Sequence, residues 1–64
     1  LLDQLTPRER DIARLIADGD SNTEIAQQLV IEPASVRRNV SRILTKLNLR
    51  DRVQIAVRWH RAGL

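Results

Sequence analysis

Between Gly19 and Leu47 the chain is punctuated by a glycine stop, an S-x-x-E start at Ser21 and Glu24, and a proline restart at Pro33. Glycine tolerates left-handed backbone, the usual way out of a helix. Ser21 and Glu24 have the spacing of a capping box, in which each side chain satisfies a free amide of the helix start. Pro33 disfavours helical geometry at Glu32, while its own fixed φ suits the first position of a helix. The spacing predicts a short helix from Ser21 to Leu29, a break at Val30-Ile31-Glu32, and a longer helix from Pro33 to Leu47. That is the plan of a helix-turn-helix.

The same punctuation extends to both ends. Thr6 can cap a first helix, with Pro7 at its first position and Glu9 completing a box. Its apolar stripe is Ile12, Ala13, Leu15 and Ile16, and Asp18-Gly19-Asp20 ends it. The second helix buries Ile25, Ala26 and Leu29, and Ile31 points into the core from the break. Asn48-Leu49-Arg50 is the next break, Asp51 with Gln54 offers a third cap, and the last helix runs to about Ala62 before Gly63. The expected fold is all-α, a compact four-helix domain with a central helix-turn-helix, occupying residues 1–64 as one unit.

Sixty-four residues lie near the lower limit at which one apolar core holds a chain folded. The absence of cysteine removes disulfides and cysteine-bearing zinc sites, and fits a reducing cytoplasm. A single histidine makes a histidine-only metal centre implausible. No apolar run approaches the ~18 residues of a membrane span, and no secretory signal is visible. The start at Leu1 without methionine suggests a domain cut from a longer protein. No catalytic residue, cofactor or metal is expected, because nothing resembles a nucleophile–base pair, a glycine-rich phosphate loop or paired carboxylates.

Charge is uneven. Residues 1–32 hold Arg8, Arg10 and Arg14 against seven acids, a balance of −4, whereas residues 33–64 hold eight basic residues against Asp51 alone, +7. A basic half on so small a domain is the footprint of a polyanion partner, or merely a solvated face. The third helix argues for the partner. At ~100° per residue, Val36, Val40, Ile43, Leu44 and Leu47 share the core arc. Arg38, Ser41, Arg42 and Thr45 lie opposite, flanked by Arg37 and Lys46, and no acid intervenes between Glu32 and Asp51. Solvated helices usually mix signs, and like charges in such a row repel unless an anion neutralises them. Ala34 leaves the helix start narrow enough for close approach. Trp59 is the only aromatic residue, so the stacking platforms of RNA and single-strand binders are missing and duplex DNA is favoured.

By position, Arg37, Arg38 and Ser41 are the candidates for base edges, since arginine's fork matches guanine in the major groove. For Arg38, base and phosphate contact are equally open. Ser35, Arg42, Lys46 and Arg50 are candidates for phosphates, as are Asn22 and Thr23 at the start of the second helix, where plain capping is the competing reading. Arg8 and Arg10 are assigned at most surface pairing with Glu9 or Asp11. The last helix carries two apolar stripes. Val53, Ala56, Val57 and His60 are expected on the core, with His60 at its edge. Ile55, Trp59 and Ala62 are expected outside, as a dimer seam.

The motifs resemble one family, the LuxR/NarL-type helix-turn-helix domain of bacterial transcription regulators. Leu5-Thr6-Pro7-Arg8-Glu9-Arg10-Asp11-Ile12 is similar to its opening L-T-x-R-E-x-E-V/I. Gly19, then Ser21-Asn22-x-Glu24-Ile25-Ala26-x-x-Leu29, resembles G-x-S-N-K-E-I-A-x-x-L. Ser35-Val36-Arg37 stands for T-V-K, Lys46-Leu47-Asn48-Leu49 for K-L-G-V, and Arg52 with Ala56-Val57 for R-x-x-A-V. The resemblance implies transcription regulation by sequence-specific binding of double-stranded DNA, with the third helix in the major groove. It also implies a homodimer through the last helix on inverted half-sites. The ending Arg52-Val53-Gln54-Ile55-Ala56-Val57 draws the chain toward the output modules of two-component response regulators. The implied partners are then an upstream receiver domain in the parent protein and RNA polymerase.

Departures from the pattern carry information. Asn39 stands where histidine is frequent, Ser35 where threonine is, and Arg38 where a smaller residue is. Glu32 replaces a Ser or Thr cap, at ~1 kcal/mol of local helix stability. Asn48 replaces glycine, which asparagine's tolerance of left-handed backbone allows. Two other classes stay open from residues alone: a sigma-factor region 4-like promoter-binding domain, which would not need the last helix's second apolar face, and a helical protein–protein module.

Overall fold

The computed structural model describes residues 2–63. Its helices are α1 (Pro7–Ala17), α2 (Asn22–Leu29), α3 (Pro33–Leu47) and α4 (Arg52–Arg61), preceded by a single 3-10 turn at Leu2–Gln4 that helical periodicity does not predict. Both predicted capping boxes close. Thr6 Oγ1 accepts from the Glu9 amide at 3.2 Å, and Glu9 Oε1 accepts from the Thr6 amide at 2.9 Å. Ser21 and Glu24 repeat this at 3.1 and 2.8 Å. Asp51 accepts from the Gln54 amide at 3.1 Å, while Gln54 Oε1 reaches one residue further back, to the Arg50 amide at 2.7 Å. Glu32 makes no side-chain cap bond, leaving the start of α3 to Pro33.

The first three helices stop in the same way. Asp20 N–H bonds Leu15 O at 3.1 Å, Ile31 N–H bonds Ala26 O at 3.0 Å, and Leu49 N–H bonds Leu44 O at 2.9 Å. Each is the long bond of a Schellman turn, and each needs a left-handed residue just before it. Gly19, Val30 and Asn48 fill that position at φ 92°, 55° and 55°. Glycine does so freely and asparagine tolerably. Val30 is β-branched, so its conformation costs ~1–2 kcal/mol.

Each helix sends one isoleucine to the centre: Ile12, Ile25 and Ile43 are 0% exposed and Ile55 is 1% exposed. Val36, Leu15, Ile16, Ala26, Leu47 and Trp59 surround them, with Ile31, Val40, Leu44 and Leu49 half-buried at the edge. Burying each large side chain contributes ~1.5–3 kcal/mol. The predicted apolar faces of α1, α2 and α3 are therefore the core. Helix α1 packs on both α3 and α4, and α2 packs on α3. The radius of gyration, 10.5 Å, matches the ~10.7 Å expected of a compact chain this long. Among the described residues no helix is long and apolar enough to cross a membrane.

Helix α4 reverses the sequence expectation. Ile55 and Trp59 are buried, at 1% and 8% exposure, whereas Val53 and Val57 are 67% and 46% exposed. His60 is exposed, with Nε2 3.2 Å from Ala17 O, and Ala56 is half-buried. The two stripes were equally apolar in pattern but not in area. An Ile–Trp stripe removes more surface from water than a pair of valines, and α1 offers one seat. Ile55 and Trp59 are thus buried within one molecule, where the sequence pattern had set them outside as a seam. Ala62 is exposed, just beyond the helix.

Candidate nucleic-acid interface

Helix α3 presents its cations as the wheel predicts. Arg37, Arg38, Ser41, Arg42 and Thr45 are all exposed, as is Ala34 near the start. Between this face and the start of α1 lies an open cleft of about 560 Å³, lined by Arg38, Ser41, Arg42 and Thr45 on one side and Thr6 and Glu9 on the other. None of Arg37, Arg38 or Arg42 has an acid partner among the described residues, where the one ion pair joins Glu9 to Lys46. Their charges face solvent unneutralised, and hydroxyls of Ser41 and Thr45 stand among them.

Lys46 differs from the rest of the row. Its Nζ donates to Glu9 Oε1 at 2.7 Å, and that oxygen also accepts from the Thr6 amide. The Glu9 side chain is 2% exposed and that of Lys46 36%. Burial pushes the Glu9 carboxyl up, but the Lys46 hydrogen bond and charge, with the Thr6 contacts, outweigh it and hold the group below its ordinary 4.5. Lys46 therefore joins the end of α3 to the start of α1. Glu9 is taken, so the surface pairing with Arg8 or Arg10 does not occur. A helix wheel treats Lys46 as one more outward cation because its partner is distant in sequence.

At the start of α2, Asn22 is half-buried and Thr23 exposed, both in the first turn of the helix. Asn22 Oδ1 accepts from Arg52 Nη1 at 2.5 Å, and Arg52 Nη2 donates to Asp20 O at 2.8 Å. The first residue of α4 thereby ties the start of α2. Sequence reading assigned Arg52 no role beyond a motif match, since the contact spans about half the chain. Ser35 is half-buried, and its carbonyl accepts from Asn39 Nδ2 at 2.8 Å. This occupies Asn39 within α3 and leaves the Ser35 hydroxyl free of that bond. Arg50 is exposed and lines a second cleft of about 720 Å³ with Gln54, Val57, Arg58 and Arg61. The structure thus gathers Arg37, Arg38, Ser41 and Arg42 on one face, holds Asn22 and Lys46 by internal bonds, and sets Arg50 beside α4.

Comparison with known proteins identifies the family. The chain is 48% identical over 59 residues to the nitrate/nitrite response regulator protein NarL of Escherichia coli (strain K12), covering 92% of this chain and 27% of that protein. It is 44% identical over 62 residues to the transcriptional regulatory protein LiaR of Bacillus subtilis (strain 168), covering 97% and 29%. With DesR of the same organism it shares 41% over 59 residues, covering 92% and 30%. The chain thus spans less than a third of the length of these relatives. Residues 3–59, which include both capping boxes, the whole of α3 and the Trp59 that closes the core, match the bacterial regulatory proteins of the luxR family, and the chain belongs to that family.

Proposed function

We propose that this domain regulates transcription by laying α3 in the major groove of duplex DNA, with Arg37, Arg38 and Ser41 toward base edges. Arg42, Ser35 and Arg50 then meet phosphates, as do Asn22 and Thr23 from the start of α2. Lys46 adds its charge to the field but spends its nearest hydrogen bond on Glu9. The observation that carries this reading is the exposed row Arg37, Arg38 and Arg42 without an acid partner. Placement on inverted half-sites would pair two copies through α4. The exposed Val53 and Val57 support that seam, in place of Ile55 and Trp59. Relatives named response regulators support a parent in which a receiver domain precedes this one.

The test is fluorescence anisotropy with a labelled duplex selected from a random pool. With about three to five phosphates neutralised, log K should fall against log[salt] with a slope of roughly −3 to −4.5. Binding indifferent to salt would sink the mechanism. Arg38→Ala should relax sequence preference, while Arg42→Ala should weaken all sequences alike. Equal losses on every duplex would reject the base-reading role of Arg38.

A further inference from the structure

Asn22 can face an anion in two ways, offering its amide nitrogen or its carbonyl oxygen, and only the nitrogen attracts a phosphate. Arg52 decides between them. A guanidinium has donors and no acceptor, so the Asn22 atom against Arg52 Nη1 must be Oδ1. That leaves Nδ2 as the free end. Among the described residues it has no hydrogen-bond partner, and none of their buried polar side-chain atoms goes unpaired, so this nitrogen is open to solvent. The second Arg52 bond, to Asp20 O, fixes the guanidinium plane from the other side of Ser21. Arg52 is itself half-buried, with both η nitrogens engaged.

We propose that Arg52 is a positioning residue for DNA binding: it locks Asn22 with its amide nitrogen outward, so that the start of α2 offers a fixed donor to a backbone phosphate. This rests on the proposed phosphate contact of Asn22. Lysine cannot replace arginine here, because a single ammonium does not hold Oδ1 and the Asp20 carbonyl in one plane. Asn22→Asp separates the two duties. Its carboxylate keeps and strengthens the bond to Arg52, so folding holds, but the outward atom becomes a negative acceptor facing phosphate.

The experiment is a double-mutant cycle on affinity for the selected duplex at fixed salt, with a thermal melt of each variant. Asn22→Ala should weaken binding about ten-fold. Arg52→Lys should cost about as much alone and nothing further in the Asn22→Ala background. Asn22→Asp should melt no lower than the parent, yet bind more weakly than Asn22→Ala. The proposal is overturned if Arg52→Lys costs the same in both backgrounds, or if Asn22→Asp binds like the parent. Should Arg52→Lys fail to fold, Arg52→Gln takes its place in the cycle and is judged by the same outcomes. If Asn22→Ala binds normally while Arg42→Ala is weakened, the Asn22 phosphate contact is wrong and the positioning role falls with it, leaving the α3 reading intact.

Discussion

Helices α3 and α4 are both amphipathic and both rich in arginine, yet only one of them declares its orientation in its sequence. Helix α3 has one apolar stripe, so its outward face follows by subtraction, and Arg37, Arg38 and Arg42 stand where the wheel puts them. Helix α4 has two apolar stripes on nearly opposite sides, and the pattern cannot rank them. The fold ranks them by area: Trp59 and Ile55 go in, Val53 and Val57 stay out. Periodicity locates faces, but when two compete the larger side chain takes the available seat on the neighbouring helix. Nor is the cationic row of α3 uniform, since among the described residues Lys46 alone is paired with an acid.

Trp59→Ala should destabilise by about 3–5 kcal/mol, whereas Val57→Ala, at an exposed position, should stay within about 0.5 kcal/mol. Total stability for a chain this size is about 3–10 kcal/mol, so the tryptophan variant should be partly or wholly unfolded at 25 °C by circular dichroism. If instead Val57→Ala unfolds the domain and Trp59→Ala does not, the assignment of the α4 faces is wrong.

Next comes the unevenness of α3. Lys46→Met should cost about 2 kcal/mol in denaturant unfolding, since it leaves the buried Glu9 carboxylate without its cation. The partial exposure of Lys46 keeps this below the loss for a fully enclosed pair. Arg42→Met should leave stability within about 0.5 kcal/mol. The pair also has a pH signature. The folded-state pKa of Glu9 lies below its ordinary 4.5, so its contribution is complete above that value and drains away as pH falls through the folded pKa. The stability gap between the parent and Glu9→Gln should therefore close on acidification below about 4.5. A gap unchanged from neutral pH to strong acid would mean the ion pair does not stabilise the fold.

The smallest effect concerns the turns that frame α3. Val30→Asn should raise stability by about 1 kcal/mol, a melting increase of about 4–8 °C, by relieving a β-branched residue held at positive φ. Asn48→Val should lower it by a similar amount. Val30 is 87% exposed, so no packing contact complicates the reading. Equal melting temperatures for all three proteins would show that the two turns carry no strain difference.

Much of the candidate site was legible because it is local. The caps at Thr6, Ser21 and Asp51, the stops at Gly19 and Asn48 and the restart at Pro33 each act within a few residues, and so does the outward row of α3. The left-handed backbone at Val30 was not legible, since valine is a poor residue for it. It follows from the turn, which must bring Ile31 back onto the core. The two clamps were invisible for a different reason. Glu9–Lys46 and Arg52–Asn22 join residues that only the packed helices bring together.

Where the helices begin and end, which side of α1, α2 and α3 is apolar, and which cations α3 turns outward are all readable along the chain, because each follows from bonds and periodicities inside one helix. Packing between helices selects which stripe of α4 is core, which cation of α3 is withdrawn to hold α1, and which end of the Asn22 amide bonds Arg52. Those three choices depend on the nearest surface of another helix, and no pattern along a single helix encodes that surface.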